Sequence, residues 1–307
     1  MKNQLLVAEF LATPWAMMPE HLNVMYGVIS RWSSNTPAGN EVMQRIAAER
    51  SAREARRQAT QVNAGGIAVL PLYGIVTQRG NMVEDVSGPG STSTQQFAFS
   101  LRQALADESV SQILIDIDSP GGSVYGVAEL ADEITSAQGQ KPVIAIANSL
   151  AASAAYWIGA CAAEFYVTPG GEVGSIGVWQ AHQDYSRAMD DAGVTTTLIS
   201  AGKFKVEGNP YAPLSEEAHG FMQSRVDDYY AAFTKAVAKG RNVPVAQVRD
   251  SMGQGRVFGA DAALSSHMVD GVATLDDVIN KMRRAVRISS KPRASRLAIA
   301  QKELQIL

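Results

Sequence analysis

Cysteine occurs once in these 307 residues, at Cys161. That excludes an intramolecular disulfide and fits a reducing compartment. Cys161 lies in an apolar helical run and is expected to be a small buried core residue. The four histidines, His21, His182, His219 and His267, are scattered and fall into no ligand spacing, so neither a metal nor another cofactor is expected. Charge of one sign is also lacking. A net charge of −3 gives no global field for nucleic acid. There is no long uninterrupted hydrophobic run: the most apolar N-terminal stretch, Leu5 to Val28, is broken by Glu9, Pro14, Glu20 and His21, which are costly in a bilayer. Beyond Lys2 this stretch also lacks the charged start, compact apolar centre and cleavage site of a signal peptide. The expectation is a soluble chain made in the cytoplasm, without a membrane anchor.

What is present is an alternation of strand and helix signals. Residues 1–36 read as helical, with a break at Pro14-Trp15 and a second start at Pro19-Glu20. Residues 40–60 read as a charged, exposed helix, and Asn63-Ala64-Gly65-Gly66 as a hinge. Residues 1–63 are therefore expected to form an N-terminal helical arm. Ile67 to Val76 is a strand bent at Gly74, and Ser93 caps a helix carrying Phe97, Leu101 and Leu105 on one side. Gln112 to Asp118 is a buried strand, Val127, Leu130 and Ile134 mark a helix, and Val143 to Ala147 is another strand. Shorter strands follow at Phe165–Thr168 and Ile176–Trp179, and Val194–Ser200 completes the series. This pattern predicts an α/β core with parallel strands. After Pro210, Ser215-Glu-Glu opens a long helix whose Met222, Val226, Tyr229, Tyr230 and Phe233 form a core or subunit-contact stripe. The last segment carries Lys281, Arg283, Arg284, Arg287, Lys291, Arg293 and Arg296. It reads as a solvated tail or as a contact for an acidic partner.

Three elements carry chemistry jointly. Asp118-Ser119-Pro120-Gly121-Gly122 is expected at a strand-to-helix turn, where glycines let backbone amides approach a developing anion with a helix N-terminus behind them. Ser153 stands among small residues in Ala-Ala-Ser-Ala-Ala-Tyr at the start of a helix, within reach of a substrate. It needs a base, and Lys205 of Gly-Lys-Phe-Lys, with Lys203 as neighbour, is the candidate. A lysine serves only if its pKa falls from about 10.4 toward about 7–8, a differential solvation cost of roughly 4 kcal/mol. Tyr156, Trp157, Ile176 and Val178 are candidate apolar walls for that desolvation. A rival Ser–His–Asp reading would use His182 with Asp184, but no motif accompanies it.

These residues resemble a known family. Residues 69–76 (Val-Leu-Pro-Leu-Tyr-Gly-Ile-Val), 118–122, 151–156, 174–178 (Gly-Ser-Ile-Gly-Val), 202–205 and 255–258 (Gly-Arg-Val-Phe) stand in the order typical of signal peptide peptidase A-like (S49) serine peptidases. The resemblance spans residues 64–284, leaving 285–307 as a basic C-terminal tail. The Trp15-Ala-Met-Met-Pro-Glu opening looks more like the phage branch, the capsid-assembly proteases. The resemblance implies a ClpP/crotonase-like core of repeated β-β-α units and peptide-bond hydrolysis by a Ser/Lys dyad. Carried over by position, Ser153 matches the nucleophile and Lys205 the general base. Gly121 matches the oxyanion glycine, joined by the amide of Ser153 or Ala154, with Gly122 as the backup choice. Ser175 either orients Lys205 or forms a structural turn.

The implied partners are protein or peptide substrates among capsid, scaffold or portal proteins, inside a phage procapsid in the host cytoplasm, with a ring-shaped homo-oligomer and no nucleic acid. Two alternatives remain: a cellular peptidase degrading signal peptides, and a non-catalytic protein that binds scaffold or portal during assembly. Two positions depart from the family pattern. Ala154 and Ala155 replace a common Gly-Gly, and His267 occupies a turn where glycine is usual.

Overall fold

Burial runs almost unbroken along the two longest strands, Gln112–Ser119 and Val143–Ala152, so the sheet they form must be covered on both faces. The computed structural model describes residues 13–19, 66–79 and 91–286, with the single positions 44 and 48. The charged helix expected over 40–60 and the tail past residue 286 lie outside the described residues, apart from those two positions. In chain order the elements begin with β1 (Trp15–Met17), β2 (Ile67–Tyr73), β3 (Ile75–Thr77), β4 (Ser91–Ser93) and α1 (Thr94–Ala106). Next come β5 (Gln112–Ser119), β6 (Gly121–Ser123), α2 (Val127–Ala137), β7 (Val143–Ala152) and α3 (Ala154–Ala160). They continue with β8 (Glu164–Val167), β9 (Glu172–Gly174), α4 (Ser186–Asp191), α5 (Glu216–Gly240) and α6 (Val245–Ser251). The last are β10 (Val257–Gly259), α7 (Ala260–Ser265), β11 (Gly271–Val272) and a helix over 275–286, α8.

A long strand, a short strand and a helix recur as a unit. The long strands β2, β5 and β7 are parallel neighbours in the main sheet, whose order is β10-β9-β7-β5-β2, with β8 on β7 and β11 on β8. The short strands β3 and β6 enter a second sheet, β1-β6-β3-β4. The expected α/β architecture of β-β-α units is thus present. On one face of the main sheet Leu70, Leu72, Ile113, Ile115, Ile117, Val143, Ala145 and Ala147 join the core built with α1, α2, α3 and the C-terminal half of α5. On the other, Ile67, Val69, Leu114, Ile144 and Ile146 meet Val278, Ile279 and Met282 of α8. Part of the segment expected to be a basic tail is therefore a helix closing the second face.

Local signals explain the helices. Ser93 Oγ accepts from the Gln96 amide at α1, and Ser215 Oγ accepts from the Ala218 amide at α5, each relieving an orphan N-terminal donor. Four expectations are corrected. Ile176–Trp179 is irregular apart from an isolated bridge at Trp179, and the short strand of this region is β9, Glu172–Gly174. Trp15–Met17, expected within a helical arm, is a strand paired with β6. Gly121–Ser123 is itself a strand, and α2 begins only at Val127 behind a Gly126 cap in the left-handed region, so no helix N-terminus stands directly behind Pro-Gly-Gly. Val194–Ser200 is no strand: all seven residues are irregular and exposed. Their β-branched side chains favour a pleated, half-buried surface, and among the described residues no strand pairs with them.

Candidate active site

Ser153 sits where β7 ends and α3 begins. β7 first pairs with β8 over Ile144–Ala147 and then with β9 over Leu150–Ala152. The chain must then reverse into α3, all seven residues of which are buried. Ser153 takes that corner at φ 55° and ψ −118°, a conformation that costs a non-glycine residue about 1–3 kcal/mol. Its amide donates to Gly174 O at 2.7 Å, and its hydroxyl donates to Gly177 O at 3.4 Å. The side chain makes no cap for α3. A helix-start serine used only for capping would have the reverse arrangement, extended backbone and a bonded Oγ.

The glycine strand forms the opposite wall. Gly121 has φ +95°, and a methyl group placed on it would meet Ala16 O at 2.3 Å, Ala152 O at 2.9 Å and Ser153 Cβ at 2.9 Å. A methyl group on Gly122 would lie 1.9 Å from Val76 O. Neither position admits a side chain. The amides here are not equally available. That of Ser153 is taken by Gly174. The bonds Met18 N to Pro120 O and Val124 N to Pro14 O set Ala16 and Gly122 between them as a hydrogen-bonded antiparallel pair, so the Gly122 amide faces Ala16. The Gly121 amide donates to Ser119 Oγ at a long 3.2 Å. Ala154 is the first residue of α3, where amides have no partner within the helix. Of the amides expected to face an anion, that of Gly121 is thus held only by a long bond, and that of Ala154 lies in the first turn of α3.

Ser119 was not singled out as a site residue in the sequence. Fully buried, its hydroxyl donates to Gly74 O at 2.6 Å while accepting from Gly121. It thereby clamps the β5–β6 link to the bend after β2. A serine before Pro-Gly-Gly was the only available signal.

Lys205 is exposed in a turn, its amide bonded to Gly202 O at 3.1 Å. Lys203 is engaged otherwise, 2.9 Å from Glu217 and over the Phe204 ring. Ser153 and Lys205 share no hydrogen bond within the chain. Two of the four expected lysine walls are consumed by the core: the Tyr156 hydroxyl donates to Met268 O at 3.0 Å, and Trp157 stacks on Phe233 with centroids 4.8 Å apart. Ile176 is buried and Val178 half-buried. Ser175 takes a left-handed turn at φ 53° and donates its amide to Arg256 O at 2.7 Å. His182 Nε2 lies 3.1 Å from Asn209 O, and Asp184 accepts from the Ser186 amide; neither meets Ser153. Cys161 is buried as expected, and burial pushes its thiol up to about 11. Among the described residues no helix is long and apolar enough to cross a membrane.

A model of peptidase family S49 matches residues 135–289. Capsid assembly protease C of Escherichia phage lambda is 35% identical over 221 residues, 72% of this chain and 49% of that protein. Head-tail preconnector protein GP5 of Enterobacteria phage P21 is 34% identical over 244 residues, 78% of this chain and 48% of that protein. The chain spans about half the length of these two relatives. A chloroplastic serine protease SPPA of Arabidopsis thaliana is 28% identical over 210 residues, 66% of this chain and 31% of that protein. Among solved structures, a point mutant of ClpP1 from Listeria monocytogenes aligns with a TM-score of 0.44 at 15% identity, covering 72% of this chain and 99% of that one.

Proposed function

This chain belongs to peptidase family S49, and from that premise we propose that it is a serine endopeptidase cleaving scaffold, portal or coat proteins during phage head maturation. The observation that carries the reading is Ser153, held off the ordinary backbone map at a strand-to-helix corner with Gly121 against its Cβ. Strain of this kind persists only where the surroundings enforce it, and it gathers at reacting groups. The phage context rests on the two phage relatives, which are more similar to this chain than the plant protease is.

In the proposed reaction, neutral Lys205 takes the proton of the Ser153 hydroxyl as Oγ attacks the peptide carbonyl carbon. The carbonyl oxygen becomes an oxyanion, and the Ala154 and Gly121 amides stabilise it. As the C–N bond breaks, the lysine ammonium returns the proton to the departing amine. Water, activated by the same lysine, then releases the acyl group from Ser153. Lysine acts as a base only when neutral, a state that burial among apolar groups favours. Lys205 is exposed in the single chain, so its partner surface must come from a second copy or from a rearranged 193–211 segment. No metal is used.

Co-expression with the portal, scaffold and coat proteins of the same phage tests this. New protein termini, mapped by mass spectrometry, are expected with the wild-type chain and to be lost with Ser153→Ala and Lys205→Ala. Full processing by Ser153→Ala would leave only a non-catalytic assembly role.

A further inference from the structure

Ser153 is only 1% exposed, although the residues around it are small. A strand distant in sequence runs along the same glycine wall. β1 runs between two rails. On one side it pairs antiparallel with β6, Ala16 opposite Gly122 and Met17 opposite Gly121. On the other, Trp15 exchanges both backbone hydrogen bonds with Trp179, at 2.8 and 3.0 Å, and Trp179 Nε1 donates to Met17 O at 2.9 Å. These rails also hold the serine. Gly121 belongs to the first, while Gly174 and Gly177, the acceptors for the Ser153 amide and hydroxyl, lead directly to Trp179 on the second. The Ala16 carbonyl and Ser153 Cβ flank the same point beside Gly121.

An extended peptide hydrogen-bonded along a strand edge is a general mode of peptide capture. Here the chain supplies that peptide itself. We propose that the groove between β6 and residues 175–179 is a binding site for extended apolar peptides of the pattern aromatic–small–apolar, and that residues 14–18 are its built-in occupant, which a substrate must displace. This deepens, and rests on, the reading of Ser153 as nucleophile. The pattern follows from the occupant. Side chains alternate across a strand, so Trp15 and Met17 share one side and Ala16 takes the other. All three are buried, Trp15 at 3%, Met17 at 1% and Ala16 at 0% exposure. The middle position is small where the backbone lies against Gly121 and Gly122. Being tethered, the segment competes at an effective concentration on the order of millimolar, so free peptides compete poorly until it is loosened.

The test uses the full chain and a fluorescein-labelled peptide of residues 13–18, read by fluorescence polarisation, with amide hydrogen exchange of residues 15–17 followed in parallel. Ala16→Asp places a carboxylate where it has no partner and should expel the strand; Trp15→Ala loosens it more gently and guards against misfolding of the first variant. Both chains are expected to bind the peptide at least about tenfold more tightly than wild type, with faster exchange at 15–17. The same peptide carrying aspartate at its alanine position should not bind. Equal or absent binding in chains whose exchange shows the segment released overturns the proposal. Unchanged protection at 15–17 in Ala16→Asp overturns it as well. Labelling of Ser153 by a fluorophosphonate is scored separately. A chain that binds the peptide but never labels keeps the groove and removes the nucleophile.

Discussion

Ser153 and His267 both hold a positive φ, for different reasons. At Ser153 the strain lies beside a candidate reacting group. At His267, φ is +60° because α7 ends in a Schellman motif: the Met268 amide bonds Ala263 O at 2.9 Å and the His267 amide bonds Leu264 O at 3.1 Å. Arg241 Nε donates to the His267 carbonyl, a backbone contact that any residue would keep. The imidazole is not what the motif requires. His267→Gly should relieve the left-handed penalty of a Cβ and give back part of it in unfolded-chain entropy, a net gain of about 0.5 kcal/mol. Urea unfolding should show a higher midpoint at unchanged slope. A lower midpoint would mean that the imidazole makes a contact of its own. The odd residue at this turn was legible in the sequence, as was the place of Ser153 at the start of a helix; the strand that holds Gly121 was not. The commitment of the Ser153 amide to Gly174 and the clamp at Ser119 were not, because each depends on a partner 21 or 45 residues away.

Elements that carry their own signal were legible: β2 with its bend at Gly74, the apolar β5, and α1 and α5 with their serine caps. Elements that exist only through a partner were misread. β1 and β6 are three residues each and too short to show a period, whereas residues 194–200 show strand propensity without a described strand to join. The end of α5 illustrates how partners fix an element. Arg241, just past that helix, makes a two-pronged ion pair with Asp270 at 2.8 and 2.7 Å, and Asp270 Oδ2 also accepts from the Phe165 amide of β8 at 2.7 Å. Burial pushes the Asp270 pKa up, but the Arg241 guanidinium and the Phe165 amide outweigh it and hold the carboxyl below its ordinary value. A carboxylate lowered in the folded state contributes stability that is complete above the unfolded value, near about 4, and fades as pH falls through the folded value. Asp270→Asn should therefore cost about 1–3 kcal/mol near neutral pH. The deficit should shrink in urea unfolding repeated well below pH 4. A deficit independent of pH would assign the effect to packing instead.

On the scale of the molecule, the segment bearing Lys205 is in the wrong environment for its proposed work. Val194, Leu198, Ile199, Phe204 and Tyr211 are all exposed, Ile199 at 96%, so apolar side chains meet water around a lysine that must be neutral to act. A second copy covering this segment would bury the apolar residues and give the lysine its low-dielectric setting together. The sequence could not reveal this, since the same β-branched residues serve equally as an internal strand or as a contact between chains. If each copy lends its segment to the next, the contact is heterologous and closes into a ring. Each site then takes its serine from one chain and its lysine from the neighbour. Ser153→Ala and Lys205→Ala chains, each inactive alone, should regain activity when unfolded together and reassembled. In a random ring about a quarter of the sites would pair an intact serine with an intact lysine. Native mass spectrometry must show mixed particles for the result to count. Mixed rings without recovered peptide cleavage would place both groups in one chain, and the 193–211 segment would then have to fold back onto its own Ser153.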